Sequence, residues 1–357
     1  MRKNRIIFFV IIGVALAIVA VSLLTNRGTN QVTGLVGSEK EAFFEDARVQ
    51  KALLRHGLDV TVQKAGSREI ATSFDLSQYD FVFPSGAPAA EKIQLQTGQS
   101  KSVTPFFTPM AIASWKPIAD LLVQQGIAQD QGAYYTVDMN ALLPLIKAQV
   151  RWKDIPANTA FTANKSVLIT TTDVRKSNSA AMYLALMSYV ADGNNIVQSM
   201  DEARPLLPLL TDMFLRQGLR PSSSLEPFED YLVKGMGHSP VVMIYEAQFI
   251  AQAARGDGSI QPEMVLMYPT PTIFTKHVLI PLTVGGEKLA EALTTDPELQ
   301  RLAIEYGFRN DNLAYFQEFT KSHGVTLPNS FVDVIEPPSY EVLEGMIQVI
   351  EQAYQQQ

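Results

Sequence analysis

The 357-residue chain contains no cysteine. That absence removes disulfide frameworks, thiolate zinc and iron–sulfur sites, a cysteine nucleophile and a lipidated cysteine. Histidine is scarce: His56, His238, His277 and His323 lie far apart with no pair at ligand spacing, and each reads as a packing or surface residue. Short catalytic signatures are missing as well. There is no G-x-S-x-G elbow, no G-x-x-x-x-G-K-[ST] loop and no H-E-x-x-H. Gly235 and Gly237 are followed by Pro240 where a dinucleotide loop needs its third glycine. No catalytic residue, cofactor or metal is assigned, although a glycosidase-type pair of carboxylates distant in sequence stays open. Glu39, Glu41, Glu45 and Asp46 fit a solvated helix face, and Trp115, Trp152, Tyr134 and Tyr135 fit a core better than the lining of a sugar site. Basic excess is lacking too: 29 basic against 36 acidic residues give a net charge of −7, the reverse of a nucleic-acid footprint. What remains is a foldable composition, 46% hydrophobic, long enough for one large or two ordinary domains.

The first thirty residues differ in kind from the rest. Arg2, Lys3 and Arg5 precede Ile6–Leu24, nineteen residues without a charge. As a helix this run spans roughly 28 Å, the thickness of a bilayer core. It is longer than a signal-peptide h-region, and Ser22-Leu23-Leu24-Thr25-Asn26-Arg27 offers no small-x-small cleavage site. An uncleaved anchor is expected, with residues 1–5 cytoplasmic, 6–24 transmembrane, and the bulk of the chain in the periplasm or at the cell surface. Arg2, Lys3, Arg5 and Arg27 are the only charges before residue 30, so the exported part holds 25 basic and 36 acidic residues, a net of −11.

The exported part alternates strand-like and helical stretches. Thr33–Val36 ends at Gly37-Ser38 before a helical Glu39–His56, in which Phe43, Ala47 and Leu54 share a face and Gly57 is the stop. Leu58–Gln63 ends at Gly66-Ser67, and Tyr79–Phe83 ends at Pro84-Ser85-Gly86 before a helical Ala87–Leu95. Three successive strands thus end in loops with Gly and Ser. In open α/β sheets such loops carry ligands, but Gly and Ser also simply build turns and caps.

A second unit follows. Val103–Ser114 is long, apolar and extended, carrying Pro105 and Pro109; Trp115–Gly126 and Thr136–Trp152 read as helices, and Ser166–Thr171 as a buried strand. Ser177, Asn178 and Ser179 open an almost wholly apolar helix, Ala180–Ala191. Hydroxyls, backbone donors and the helix dipole converge there, more polar groups than one cap requires. Val241–Ile244 reads as a buried strand ending at Tyr245-Glu246, and Met264–Met267 and His277–Leu282 as strands returning toward the first unit. The tail is helical, with Leu343, Met346, Ile347, Ile350 and Tyr354 on one face.

The segments TTTDVRKSNSAAMYLAL, MIYEAQF, YPTPTIFTKHVLIPL and DPELQRLAIEYGFR, in this order, resemble extracellular solute-binding proteins of the type 2 periplasmic-binding fold. The nearest branch is similar to molybdate-type binding proteins, often joined to von Willebrand factor A domains. Asp75-Leu76-Ser77-Gln78-Tyr79 misses the DxSxS metal motif at its last position, so such a domain is expected only as a separate chain. The resemblance implies an α/β fold of two lobes joined by two crossovers, with residues 31–106 plus 283–357 in lobe 1 and 107–282 in lobe 2. Ligand would lie between them, at Gly37, Ser38, Ser67, Ser85 and Gly86 from one lobe and Ser177, Asn178, Ser179 and Tyr245 from the other. The function implied is capture of a small polar solute, expected to be anionic, for a membrane transporter or sensor. The alternative is a non-catalytic scaffold of the same fold that contacts a membrane or surface protein. Lys40, Arg68, Arg175 and Lys176 are the cations nearest the expected site.

Overall fold

The computed structural model describes residues 29–218, 220–331 and 333–356. The expected anchor at 6–24 lies outside the described residues, among which no helix is long and apolar enough to cross a membrane. The strands among them are β1 (Asn30–Val36), β2 (Leu58–Lys64), β3 (Phe81–Phe83), β4 (Val103–Trp115), β5 (Ala128–Asp130), β6 (Tyr135–Asp138), β7 (Val241–Tyr245), β8 (Met264–Thr270), β9 (Thr272–Pro281) and β10 (Val334–Ile335). Their order is β2-β1-β3-β9-β4-β8-β6-β5, with β7 also on β4 and β10 on β9. The first three are parallel, whereas β9 runs antiparallel to both β3 and β4.

Two long strands tie the lobes together. In β4, Val103–Pro109 pairs with β9, and Met110–Trp115 pairs with β7 and β8. The crossing is thus an antiparallel ribbon in which Phe106 faces His277 and Thr108 faces Thr275. A register shift between Val103 and Phe106 falls at Pro105, which has no N–H to give to a ladder.

Period-two alternation sorts the first-lobe core. Val32, Val36, Phe81 and Phe83 enter one cluster with Phe43 and Phe44, while Leu35 and Val82 enter another with Ile70 and Ile93. A parallel sheet needs both faces covered, and helices supply the cover. Each such buried side chain contributes about 1.5–3 kcal/mol by leaving water. In the second lobe the helix Asn178–Ala191 buries twelve of its fourteen residues. The last helix, Tyr340–Gln355, puts Leu343, Met346, Ile347 and Ile350 into the same cluster as that lobe's sheet.

Three expected elements come out differently. Glu39–His56 breaks at Asp46, whose extended backbone and side chain, accepting from Arg48 N at 2.7 Å, start a new helix at Ala47. Ala47 and Leu54 are consequently exposed, and Phe44, Val49, Ala52 and Leu53 are the buried face. Thr136–Trp152 is not one helix: Thr136 belongs to β6, Asp138 caps Met139–Lys147, and Gln149 at φ 55° turns the chain. Ser166–Thr171 is extended and joins no ladder beyond the single bridges Arg151 to Ser166 and Thr170 to Val242.

Candidate functional site

Because β2, β1 and β3 are parallel neighbours, the loops after them emerge at one edge of the sheet. Gly37-Ser38, Gly66-Ser67 and Ser85-Gly86 meet there. Ser85 N donates to Ser67 Oγ at 2.9 Å, Ser85 Oγ donates to Glu39 Oε1, and Gly37 N reaches Phe83 O at 3.4 Å. A Cβ on Gly37 would overlap Ser85 Oγ, so this approach requires glycine.

The second lobe brings the start of the Asn178 helix, the end of β7 and the loop Ser222–Ser224 to the same edge. Asn178 Nδ2 donates to Ser85 O at 2.8 Å and to Tyr245 Oη at 3.2 Å. Ser38 Oγ and Ser224 Oγ are 3.1 Å apart. Between the two sides lies a cavity of about 440 Å³, walled by Gly37, Ser38, Ser67, Ser85, Ser177, Asn178 and Tyr245 among others. Seven of the nine expected site residues therefore share one wall. Gly86 stands behind it, where a Cβ would overlap Asn178 Oδ1. Ser179 is also set back, its Oγ 2.8 Å from Thr172 Oγ1 and 3.0 Å from Ser177 Oγ.

Ser177 occupies the N-cap position yet makes no side-chain capping bond, because its hydroxyl is turned to Ser179. The helix beginning at Asn178 thus keeps uncapped first-turn N–H groups and the positive end of its dipole beside the cavity. Burial, reinforced by the charge of Glu39 nearby, holds the Tyr245 phenol well above its ordinary range, so it stays protonated.

Sequence reasoning missed what lies beneath this wall. Glu39, expected on a solvated face, has a side chain 4% exposed, and Lys40 is fully buried. Lys40 Nζ donates to Glu39 Oε1 at 2.5 Å, to Ser85 Oγ at 2.8 Å and to His277 Nδ1 at 3.0 Å. Accepting at Nδ1 puts the imidazole proton on Nε2, which has no polar partner; the imidazole lies among the rings of Phe106, Phe308 and Tyr245, its centroid 5.5, 5.0 and 6.0 Å from theirs. Burial and the neighbouring Lys40 charge push His277 down to about 4. Burial would raise the Glu39 carboxyl, but the charge of Lys40 overturns this and holds it below the ordinary range. Lys40 itself is lowered by burial against the opposing pull of Glu39. Glu39 and Lys40 follow directly on Gly37-Ser38, at the carboxyl end of the central strand β1; that position was the available signal.

The four cations expected near the ligand are all engaged by protein. Lys40 pairs with Glu39, Arg68 with Glu344 at 2.6 Å and Glu351 at 3.2 Å, Arg175 with Asp173 at 2.6 Å, and Lys176 with Glu69 at 3.6 Å. An acceptor group placed in the cavity would meet hydroxyls and backbone N–H groups instead.

No known protein family and no curated protein matches the sequence. Solved structures do. The chain is similar to iron-bound HitA from Pseudomonas aeruginosa, at 10% identity over 90% of this chain and 98% of that one, with a TM-score of 0.56. It is similar to the periplasmic binding protein AfuA from Actinobacillus pleuropneumoniae with exogenous fructose-6-phosphate bound, at 11% identity over 89% and 96%, TM-score 0.54. Apo ferric ion-binding protein A from Pasteurella haemolytica gives 10% identity over 91% and 96%, TM-score 0.52. At such identities the likeness speaks for architecture: the chain has the two-lobed α/β fold of periplasmic binding proteins, built on a mixed sheet.

Proposed function

We propose that the protein is a non-catalytic, extracytoplasmic solute-binding protein that takes a small polar solute between its lobes and delivers it to a membrane transporter or sensor. The observation that carries this reading is the cavity of about 440 Å³ whose hydroxyl and amide groups come from both lobes at once. A solute there touches both sides, so its binding energy favours the closed arrangement. The uncapped start of the Asn178 helix and the hydroxyls of Ser38, Ser67, Ser85 and Ser177 suit an anionic or acceptor group on that solute. Among the described residues no group of three His, Asp or Glu side chains is arranged to hold a metal ion. Membrane attachment through Ile6–Leu24, kinship with the molybdate-type branch and a separate von Willebrand factor A-type partner rest on the sequence alone.

Thermal unfolding of the full-length protein against oxyanions, carboxylates, amino acids and sugars tests the reading. A hit at 100 times its Kd stabilises by about 2.7 kcal/mol. Asn178→Ala, which removes the Ser85 contact across the lobes, should abolish that shift. A panel without any hit would favour the scaffold that binds a protein partner.

A further inference from the structure

We propose that the solute also carries an amine, bound as its ammonium to the outer oxygen of Glu39, opposite the acceptor group received at the start of the Asn178 helix. This rests on the solute-binding reading and adds the donor side of the ligand to it.

The Glu39 side chain is almost wholly buried, yet it stands in the cavity wall. Its protein partners all fall on one oxygen: Lys40 Nζ and Ser85 Oγ reach Oε1, and His277 Nδ1 is 3.4 Å from the same atom. Among the described residues no hydrogen bond reaches Oε2, and Oε2 is not one of the buried side-chain atoms left without a partner, so it is an unused acceptor that keeps some contact with water. A carboxylate held this way accepts and does not donate, because its neighbours keep it ionised at neutral pH. An ammonium or amine N–H satisfies Oε2; a bare oxyanion placed against it does not.

The remaining charges of the wall are mostly of the same sign. Glu39, Glu69, Glu226 and Glu229 line the cavity with Lys64 as the basic lining residue, and Lys64 is already paired with Glu41 at 3.0 Å. Glu226 and Glu229 sit exposed at the rim, where uncompensated carboxylates raise the local concentration of cationic groups. The acceptor-binding side, by contrast, is made of neutral donors. A solute with an ammonium at one end and an acceptor or anionic group at the other matches both sides, which a simple oxyanion, a diamine or a sugar does not.

Calorimetry on the full-length protein with matched pairs tests this: ω-amino acids of two to five carbons against the same acids without the amine, together with sulfate, phosphate, putrescine and glucose. At least one amino acid should bind tenfold or more tightly than its deaminated partner, and Glu39→Gln should weaken it at least tenfold. Should Glu39→Gln fail to fold, Glu226→Gln with Glu229→Gln at the exposed rim should slow association at least threefold in low salt, with the difference vanishing at high salt. Sulfate, phosphate or a deaminated acid binding as tightly as any amine-bearing compound would overturn the amine proposal while leaving solute binding standing. So would an amine hit indifferent to Glu39→Gln, or, where that variant does not fold, to the rim substitutions. Absence of binding by every class would remove the solute-binding reading itself, and this proposal with it.

Discussion

Lys40 donates to Glu39 across 2.5 Å with both side chains almost wholly buried, and the same ammonium reaches Ser85 and His277. The pair fixes the loop after β1 under the cavity wall. Removing one partner leaves the other buried and uncompensated. Lys40→Met should therefore cost about 3–5 kcal/mol in urea unfolding, and adding Glu39→Gln should recover a large part of it. A loss below about 1 kcal/mol for Lys40→Met would contradict this role.

Acid sensitivity should follow from His277. Its folded pKa is pushed down to about 4 from the ordinary 6.5 by burial and by Lys40. The unfolded chain therefore binds a proton between these values that the folded chain refuses, and stability falls as pH falls. The neutral imidazole contributes up to about 3 kcal/mol, fully present above pH 6.5 and lost toward pH 4. Glu39, whose folded pKa is lowered, adds a further loss below about pH 4.5. Urea midpoints at pH 7, 5.5 and 4.5 should drop more steeply for the wild type than for His277→Gln; equal slopes would count against the assignment.

Gly86 sets a close approach between the lobes, and on the proposed reading closure requires it. A valine there would drive its Cβ into the Asn178 carboxamide and hold the lobes apart. Gly86→Val should raise the radius of gyration in small-angle scattering and weaken any confirmed ligand at least tenfold. A variant with unchanged radius and affinity would show that this contact does not govern closure.

Much of this was legible in the chain because β1, β2 and β3 each end in a small-residue loop, a pattern local in sequence. The extended Val103–Ser114 stretch and the polar start of the Asn178 helix were visible for the same reason. The burial of Glu39 was not, since it depends on Ser85 and His277, 46 and 238 residues downstream. Nor was the break at Asp46, where a side-chain cap overrides helical periodicity. Ser166–Thr171 has strand composition, but it meets β7 only at Thr170, a fact held in topology alone.

A second buried pair anchors the tail. Arg309 donates from Nε to Glu246 Oε1 at 2.7 Å and from Nη2 to Oε2 at 2.8 Å, with its guanidinium 4.4 Å from the Phe316 ring and 5.1 Å from Phe331. Phe107 and Arg309 also exchange backbone hydrogen bonds beside the crossing ribbon. Arg309→Met should cost about 3–5 kcal/mol, and Arg309→Lys should restore only part of it, because an ammonium lacks the planar fork. Full restoration by lysine would reduce the interaction to simple charge.

The most direct test of the central claim is the electron density of the protein crystallised with its best-stabilising small molecule. The account predicts that molecule between the lobes, touching Ser38 or Ser85 on one side and the first-turn N–H groups of the Asn178 helix on the other. Density for it elsewhere on the surface, with this cavity filled by water alone, would contradict the account.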